Sequence, residues 1–199
     1  MSNPGVAVVV LAAGGSRRYG GAKLALPIDG VPLVRRSALA ALQVSRQVIV
    51  VSGAHAEAIG PQFSGLDVTV CLNADWALGM GGSIAHGVAH LRALQPDAGA
   101  VLIALADQYR IGATQLEALC AMHAAKPDQI IAAAYAGTLG APCVFPRQHF
   151  DALTRLQGAS GAHALLHAYA GSVYPLPMPE AAFDIDTPAD YAAAAAAER

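Results

Sequence analysis

The chain has 199 residues, 55% hydrophobic and 13% charged, a balance that excludes a disordered chain and predicts one compact domain over residues 1–199. The net charge is -2, which leaves no general basic surface for nucleic acid or an anionic membrane. The three cysteines, Cys71, Cys120 and Cys143, are too far apart in sequence for a CxxC pair or a metal knuckle, and a sparse, odd set fits a reducing cytoplasm.

In chain order, residues 6–11 are a continuous apolar, β-branched run ending in glycines, the pattern of a strand buried on both faces. The run is too short to span a membrane, and no basic segment precedes it as in a signal peptide. Residues 32–42 predict a helix with Pro32 in its first turn. Strands follow at 47–51 and 68–72. Residues 83–94 predict a helix stopped by Gln95 and Pro96. An all-apolar strand at 100–106 runs straight into Asp107. Residues 113–124 predict a helix, 129–135 and 142–145 strands, 147–156 and 161–169 helices, and 173–176 a last short strand. Pro188 opens a final helix, in which the alanine run at 192–197 is composition bias rather than a functional tract. The α and β patterns alternate and the strands do not, so the fold class is α/β, with a mostly parallel sheet covered on both faces. Ligands of such sheets bind beyond the carboxyl ends of the strands. The residues after Leu11, Val51, Leu72 and Ala106 are therefore where chemistry belongs.

The segment Leu11-Ala12-Ala13-Gly14-Gly15-Ser16-Arg17-Arg18-Tyr19-Gly20-Gly21-Ala22-Lys23 stands in the first of these places. Its glycines let backbone N–H groups approach an anion, and Ser16 adds a hydroxyl. Arg17 offers a bidentate fork for phosphate oxygens and Lys23 a point charge. The chain has only two lysines, and one is here. The spacing is not that of a P-loop, because Lys23 is followed by Leu24 rather than Ser or Thr. It is not a dinucleotide fingerprint either, because Ser16 takes the second glycine position.

These residues resemble the signature loop of the MobA/MocA-like nucleotidyltransferases, which transfer a nucleotide onto molybdopterin. The resemblance is carried by Leu11, Ala12, Ala13, Gly14, Ser16, Arg17, Gly20, Lys23, Leu26 and Pro27. It implies a three-layer α/β/α Rossmann-like nucleotidyltransferase fold with a mostly parallel mixed sheet. It further implies that Arg17 holds the outer phosphates and Lys23 the α-phosphate, that the first glycines lie against the base and ribose, and that Leu11, Ala12, Ala13, Gly14, Gly15 and Ser16 together bind the nucleotide. The form Leu-Ala-Ala-Gly is similar to the cytidylyltransferase branch, so CTP is the expected donor. Tyr19 departs from the methionine that is common there.

Four further segments carry the resemblance. Asn73, Trp76, Gly79, Met80 and Ser83 match a block after the third strand, which implies nucleotide contact by Asn73, Gly79 and Ser83. Ser83 as a plain helix N-cap and Trp76 as plain core are the structural alternatives. Leu105, Asp107 and Gln108 match a motif whose aspartate is the expected Mg²⁺ ligand; a carboxylate after a buried strand is costly unless paired or metal-bound. Tyr109 replaces the usual proline. Gly140, Pro142 and Phe145 match a strand that implies a wall of the acceptor pocket, with a core strand as the alternative. Asp184, Ile185, Asp186, Thr187, Pro188 and Asp190 match a segment that makes Asp186 the second metal carboxylate, with Thr187 and Asp190 opening a helix. A last segment, Leu156 to His163, departs from the family at Ala159, in place of aspartate, and His163, in place of arginine.

The histidine pairs His86/His90 and His163/His167 have helical i, i+4 spacing but no third ligand nearby in sequence. No Gly-x-Ser-x-Gly elbow occurs. The resemblance thus implies a cytoplasmic, Mg²⁺-dependent enzyme that moves CMP from CTP to a phosphorylated acceptor such as molybdopterin. It implies a molybdoenzyme as the cofactor's recipient, with no nucleic acid or membrane partner. The alternatives are GTP or a sugar or polyol phosphate as substrate, a nucleotide-binding delivery module without efficient chemistry, and a nicotinamide oxidoreductase, against which the missing GxGxxG counts.

Overall fold

Strand β1 (Val6–Ala12) is buried at every residue and forms the hub of the sheet. The computed structural model describes residues 5–197; residues 1–4 and 198–199 of the expected domain lie outside the described residues. A small antiparallel hairpin, β2 (Pro27–Ile28) and β3 (Val31–Pro32), follows the glycine-rich loop. Next come α1 (Leu33–Val44), β4 (Val48–Ser52), α2 (Ala56–Ile59) and β5 (Thr69–Leu72). The middle of the chain holds α3 (Met80–Leu94), β6 (Ala100–Leu105), α4 (Ala113–Ala125), β7 (Ile130–Tyr135) and β8 (Thr138–Pro146). It ends in α5 (Phe150–Leu153), α6 (His163–Ala168), β9 (Val173–Pro177) and α7 (Pro188–Ala197).

The main sheet has seven strands in the order β5-β4-β1-β6-β8-β7-β9. Its pairings are parallel except where β8 runs against β6 and β7. Side chains of a strand alternate between faces. Val8 and Val10 therefore join one core with α1, α4 and α7, through Val34, Leu116 and Ala194. Ala7, Val9 and Leu11 join the other with α3, α5 and α6, through Ile84, Leu153 and Leu166. The result is a three-layer α/β/α sandwich, as expected.

Several local expectations are corrected. Pro32 is the residue before α1, not part of its first turn; its ψ of 140° is extended. Helix α3 starts three residues early, at Met80, with Gly79 as its N-cap, so Ser83 is not a cap. The helix expected at 147–156 is a 3-10 turn, Arg147–His149, followed by the single turn of α5. The strand expected at 142–145 is the end of the nine-residue β8. Its first half belongs to a two-residue hairpin whose Ala136 and Gly137 have φ of 47° and 76°. Such turns usually carry Asn-Gly or Asp-Gly, and Ala-Gly is a weak signal. No helix among the described residues is long and apolar enough to cross a membrane.

Gly87 shows how closely α3 lies on the sheet. A Cβ there would stand 2.7 Å from side-chain carbons of both Val9 and Val51. Gly87→Ala should lower stability by about 1–3 kcal/mol through overpacking, measured by urea unfolding.

The three cysteines are free and buried. Burial pushes the thiols of Cys71 and Cys120 up to about 11 and that of Cys143 up to about 12. At pH 8 they are neutral and shielded, so a thiol reagent should modify none in the folded chain and all three after denaturation. Because these folded-state values lie above the unfolded value of 9.0, their contribution to stability is complete below pH 9. It is lost progressively as pH rises from 9 through 11 to 12, so the unfolding free energy should decline across that whole window in an alkaline titration.

Candidate active site

The carboxyl ends of β1 and β6 open onto a cleft of about 390 Å³. One wall is the glycine-rich loop, from Leu11 to Arg18. Just past Gly15 the loop turns back on itself at Ser16, whose φ is 47° and whose carbonyl accepts from the N–H groups of Tyr19 and Gly20 at 3.0 and 2.9 Å. The Ser16 hydroxyl is left buried and without a hydrogen-bond partner. Gly15 lies under the Trp76 ring, where a Cβ would meet ring carbon Cζ3 at 2.7 Å. Trp76 is thus both part of the cleft lining and packed on the core beneath it.

The second wall is the start of α3. Gly79 has φ of 118°, and a Cβ on it would run into the Gly158 backbone. The Gly81 N–H donates to the Gly158 carbonyl at 2.9 Å. Met80 in turn packs where a Cβ on Gly161 would stand. Residues 158–161 therefore brace this corner, and exposed Ala159 sits in that brace. His163 is exposed and lines a separate cavity beside the β7–β8 hairpin.

The floor is a cluster of charge. Lys23, only 7% exposed, places its Nζ 2.7 Å from Asp107 Oδ2 and 3.0 Å from Asp186 Oδ1. Burial alone would lower the Lys23 pKa; the charges and hydrogen bonds of Asp107 and Asp186 outweigh it, so the ammonium lies above its usual value. It therefore carries a full positive charge at neutral pH. Asp184 is a third carboxyl here: partial desolvation, then the charges of Asp186 and Asp107, push it above the usual carboxylate range.

The carboxylates are held from behind. Buried Gln108 donates from Nε2 to the carbonyls of Ala141 and Ala181 at 2.9 and 2.7 Å. The Ile185 N–H donates to the Asp107 carbonyl at 3.1 Å, which ties the two aspartate-bearing segments together. Asp190 caps α7 by accepting at Oδ2 from the N–H groups of Asp186 and Thr187 and from the Thr187 hydroxyl. Those bonds hold its carboxyl below the usual range.

Of the site residues expected from sequence, Leu11 to Arg17, Lys23, Gly79, Ser83, Asp107 and Asp186 line this one cleft. Asn73 does not. It is buried behind the lining, donating to the Ser83 hydroxyl at 3.0 Å and accepting from the Asp75 N–H at 3.0 Å. The cleft also takes Arg18, Leu24, Ala77, Met80 and Leu105, none of which the sequence marks as a site residue. Arg18 is the important omission. Arg18 bonds Asp186, whereas exposed Arg17 makes no ion pair among the described residues. Tyr109 packs on the core below the sheet and lines a different cavity. Pro142 to Pro146 are buried strand residues outside the cleft.

A glycine-rich loop thus faces a lysine and two carboxylates across an open cleft, which is the layout of a nucleotide-transferring α/β enzyme. The chain belongs to the MobA-like NTP transferase domain family, whose model matches residues 8–173. It is 31% identical over 204 aligned residues to the purine catabolism protein PucB of Bacillus subtilis (strain 168), covering 96% of each chain. It is 35% identical over 150 residues to nicotine blue oxidoreductase of Paenarthrobacter nicotinovorans, covering 73% of this chain and 69% of that one. The fold matches Rv0371c from Mycobacterium tuberculosis H37Rv with a TM-score of 0.80 at 28% identity, over 98% of this chain and 100% of that one. A complex of Rv0371c with manganese matches at 0.78 and 25% identity, over 96% and 98%.

Proposed function

We propose that this protein, acting as one domain in the cytoplasm, transfers CMP from CTP to a phosphorylated acceptor, with molybdopterin the favoured one. The observation that carries the reading is Lys23 held between Asp107 and Asp186 opposite the Ser16 turn. An acceptor phosphate oxygen attacks the α-phosphorus, the bond to the bridging oxygen breaks, and pyrophosphate leaves. The attacking phosphate is already ionised near neutral pH, so no general base is needed. The work of the site is positioning and charge neutralisation.

Lys23 takes the α-phosphate and Arg17 and Arg18 the outer phosphates, while the unpartnered Ser16 hydroxyl donates to a phosphate oxygen. Asp107 and Asp186 suit Mg²⁺, which takes one or two carboxylates and completes its shell with phosphate oxygens and water. The manganese complex of Rv0371c supports a divalent ion in this fold. When bound, the ion would neutralise charge building on the departing pyrophosphate.

The test is pyrophosphate release from each nucleoside triphosphate with Mg²⁺, with molybdopterin, sugar phosphates and polyol phosphates as acceptors. CTP with molybdopterin should give the fastest release. Nucleotide binding without release would point to a delivery module instead. The identity with nicotine blue oxidoreductase favours one other reading, an oxidoreductase; tight NAD(P)H binding with no triphosphate binding would select it. Within the proposed reading, Arg17→Ala should raise KM for CTP roughly tenfold with a smaller change in kcat, because an exposed contact to the outer phosphates stabilises ground state and transition state alike.

A further inference from the structure

We propose that Lys23 occupies the metal position of the ligand-free protein, so that a divalent ion enters only with, or after, the triphosphate. This rests on the phosphate and metal roles proposed above. The lysine bridges the same two carboxylates that would hold the ion, at 2.7 and 3.0 Å. A bound Mg²⁺ or Mn²⁺ would need those oxygens at roughly 2.0–2.2 Å. An ion held between those two oxygens would take the space the ammonium now occupies. Two positive charges side by side in a site this sheltered repel strongly.

Lys23 has nowhere else to go without a ligand. Its side chain is 8% exposed, and both of its hydrogen-bonding partners among the described residues are these aspartates. Withdrawing it without a replacement would strand a buried cation and leave two carboxylates facing each other. A triphosphate changes that balance, because its α-phosphate offers the ammonium a new anion on the cleft side. The lysine then swings from carboxylate to phosphate and uncovers both oxygens. Arg18 adds a second, weaker lock: it bonds Asp186 but its side chain is 72% exposed. By reciprocity, nucleotide and metal each raise the other's affinity by the same factor.

The experiment measures Mn²⁺ binding to the full chain by the EPR signal of free Mn²⁺, with and without a non-hydrolysable CTP analogue. Lys23→Gln removes the competing charge and should bind Mn²⁺ without nucleotide about tenfold tighter than the native protein, within the usual range of site coupling. Lys23→Arg keeps a cation and should bind it as weakly as the native protein does. Thermal unfolding verifies folding; should Lys23→Gln not fold, Arg18→Ala should show a tightening of about two- to threefold, the smaller effect of an exposed cation. Binding no tighter in Lys23→Gln, or in Arg18→Ala where that variant stands in, overturns the inference and leaves the proposed function intact, provided Mn²⁺ binds when the analogue is present. Absence of Mn²⁺ binding in every state overturns the metal role of Asp107 and Asp186 and this inference with it.

Discussion

Lys23→Ala should lower CTP-dependent pyrophosphate release by about 10³-fold or more, the scale of losing a preorganised charge at a phosphoryl centre. The substitution removes the one buried cation of the cleft lining. Arg17 and Arg18 cannot stand in for it, because both are exposed at the mouth. The two aspartates lose their partner, but their side chains are 24% and 25% exposed, so water and counter-ions can solvate them and the fold should survive. The measurement is steady-state pyrophosphate release beside a thermal unfolding curve. A folded variant that turns over at the native rate would remove Lys23 from the chemistry and take the proposed mechanism down.

Asp107→Asn should produce a loss of similar size, about 10²–10³-fold in kcat, for a different reason. The amide keeps the shape of the side chain but gives up the charge that the ion and the ammonium both require. Lys23 retains Asp186 at 3.0 Å, so folding is expected to persist. Raising the Mg²⁺ concentration should recover part of the loss if the variant binds the ion weakly. The same substitution at Asp186 also removes the partner of Arg18. Full activity in Asp107→Asn at low Mg²⁺ would show that the carboxylate plays no part in holding the ion.

The glycine loop was legible as a wall of the cleft because its signal is local. A buried strand, glycines and clustered cations lie within some dozen consecutive residues. Asp107 was legible for the same reason, as a carboxylate set directly after an apolar strand. Asp184 left a signal that was passed over. It stands two residues before Asp186, with fully buried Ile185 between them, and feels the charges of Asp186 and Asp107. The restraint of Asn73 by Ser83 left none, since either residue alone reads as a nucleotide contact.

The alternation of helices and strands, the two buried faces of β1 and the glycine- and cation-rich character of the loop follow from the sequence by itself. Hydrophobic period and turn chemistry act between near neighbours, and near neighbours are what a sequence displays. The reversal of β8, the bracing of Gly79 by Gly158, and the choice of Arg18 as the partner of Asp186 belong to the tertiary structure. So does the meeting of Lys23 with two aspartates 84 and 163 positions further along the chain. Those contacts depend on which strands become neighbours, and packing of the whole sheet settles that.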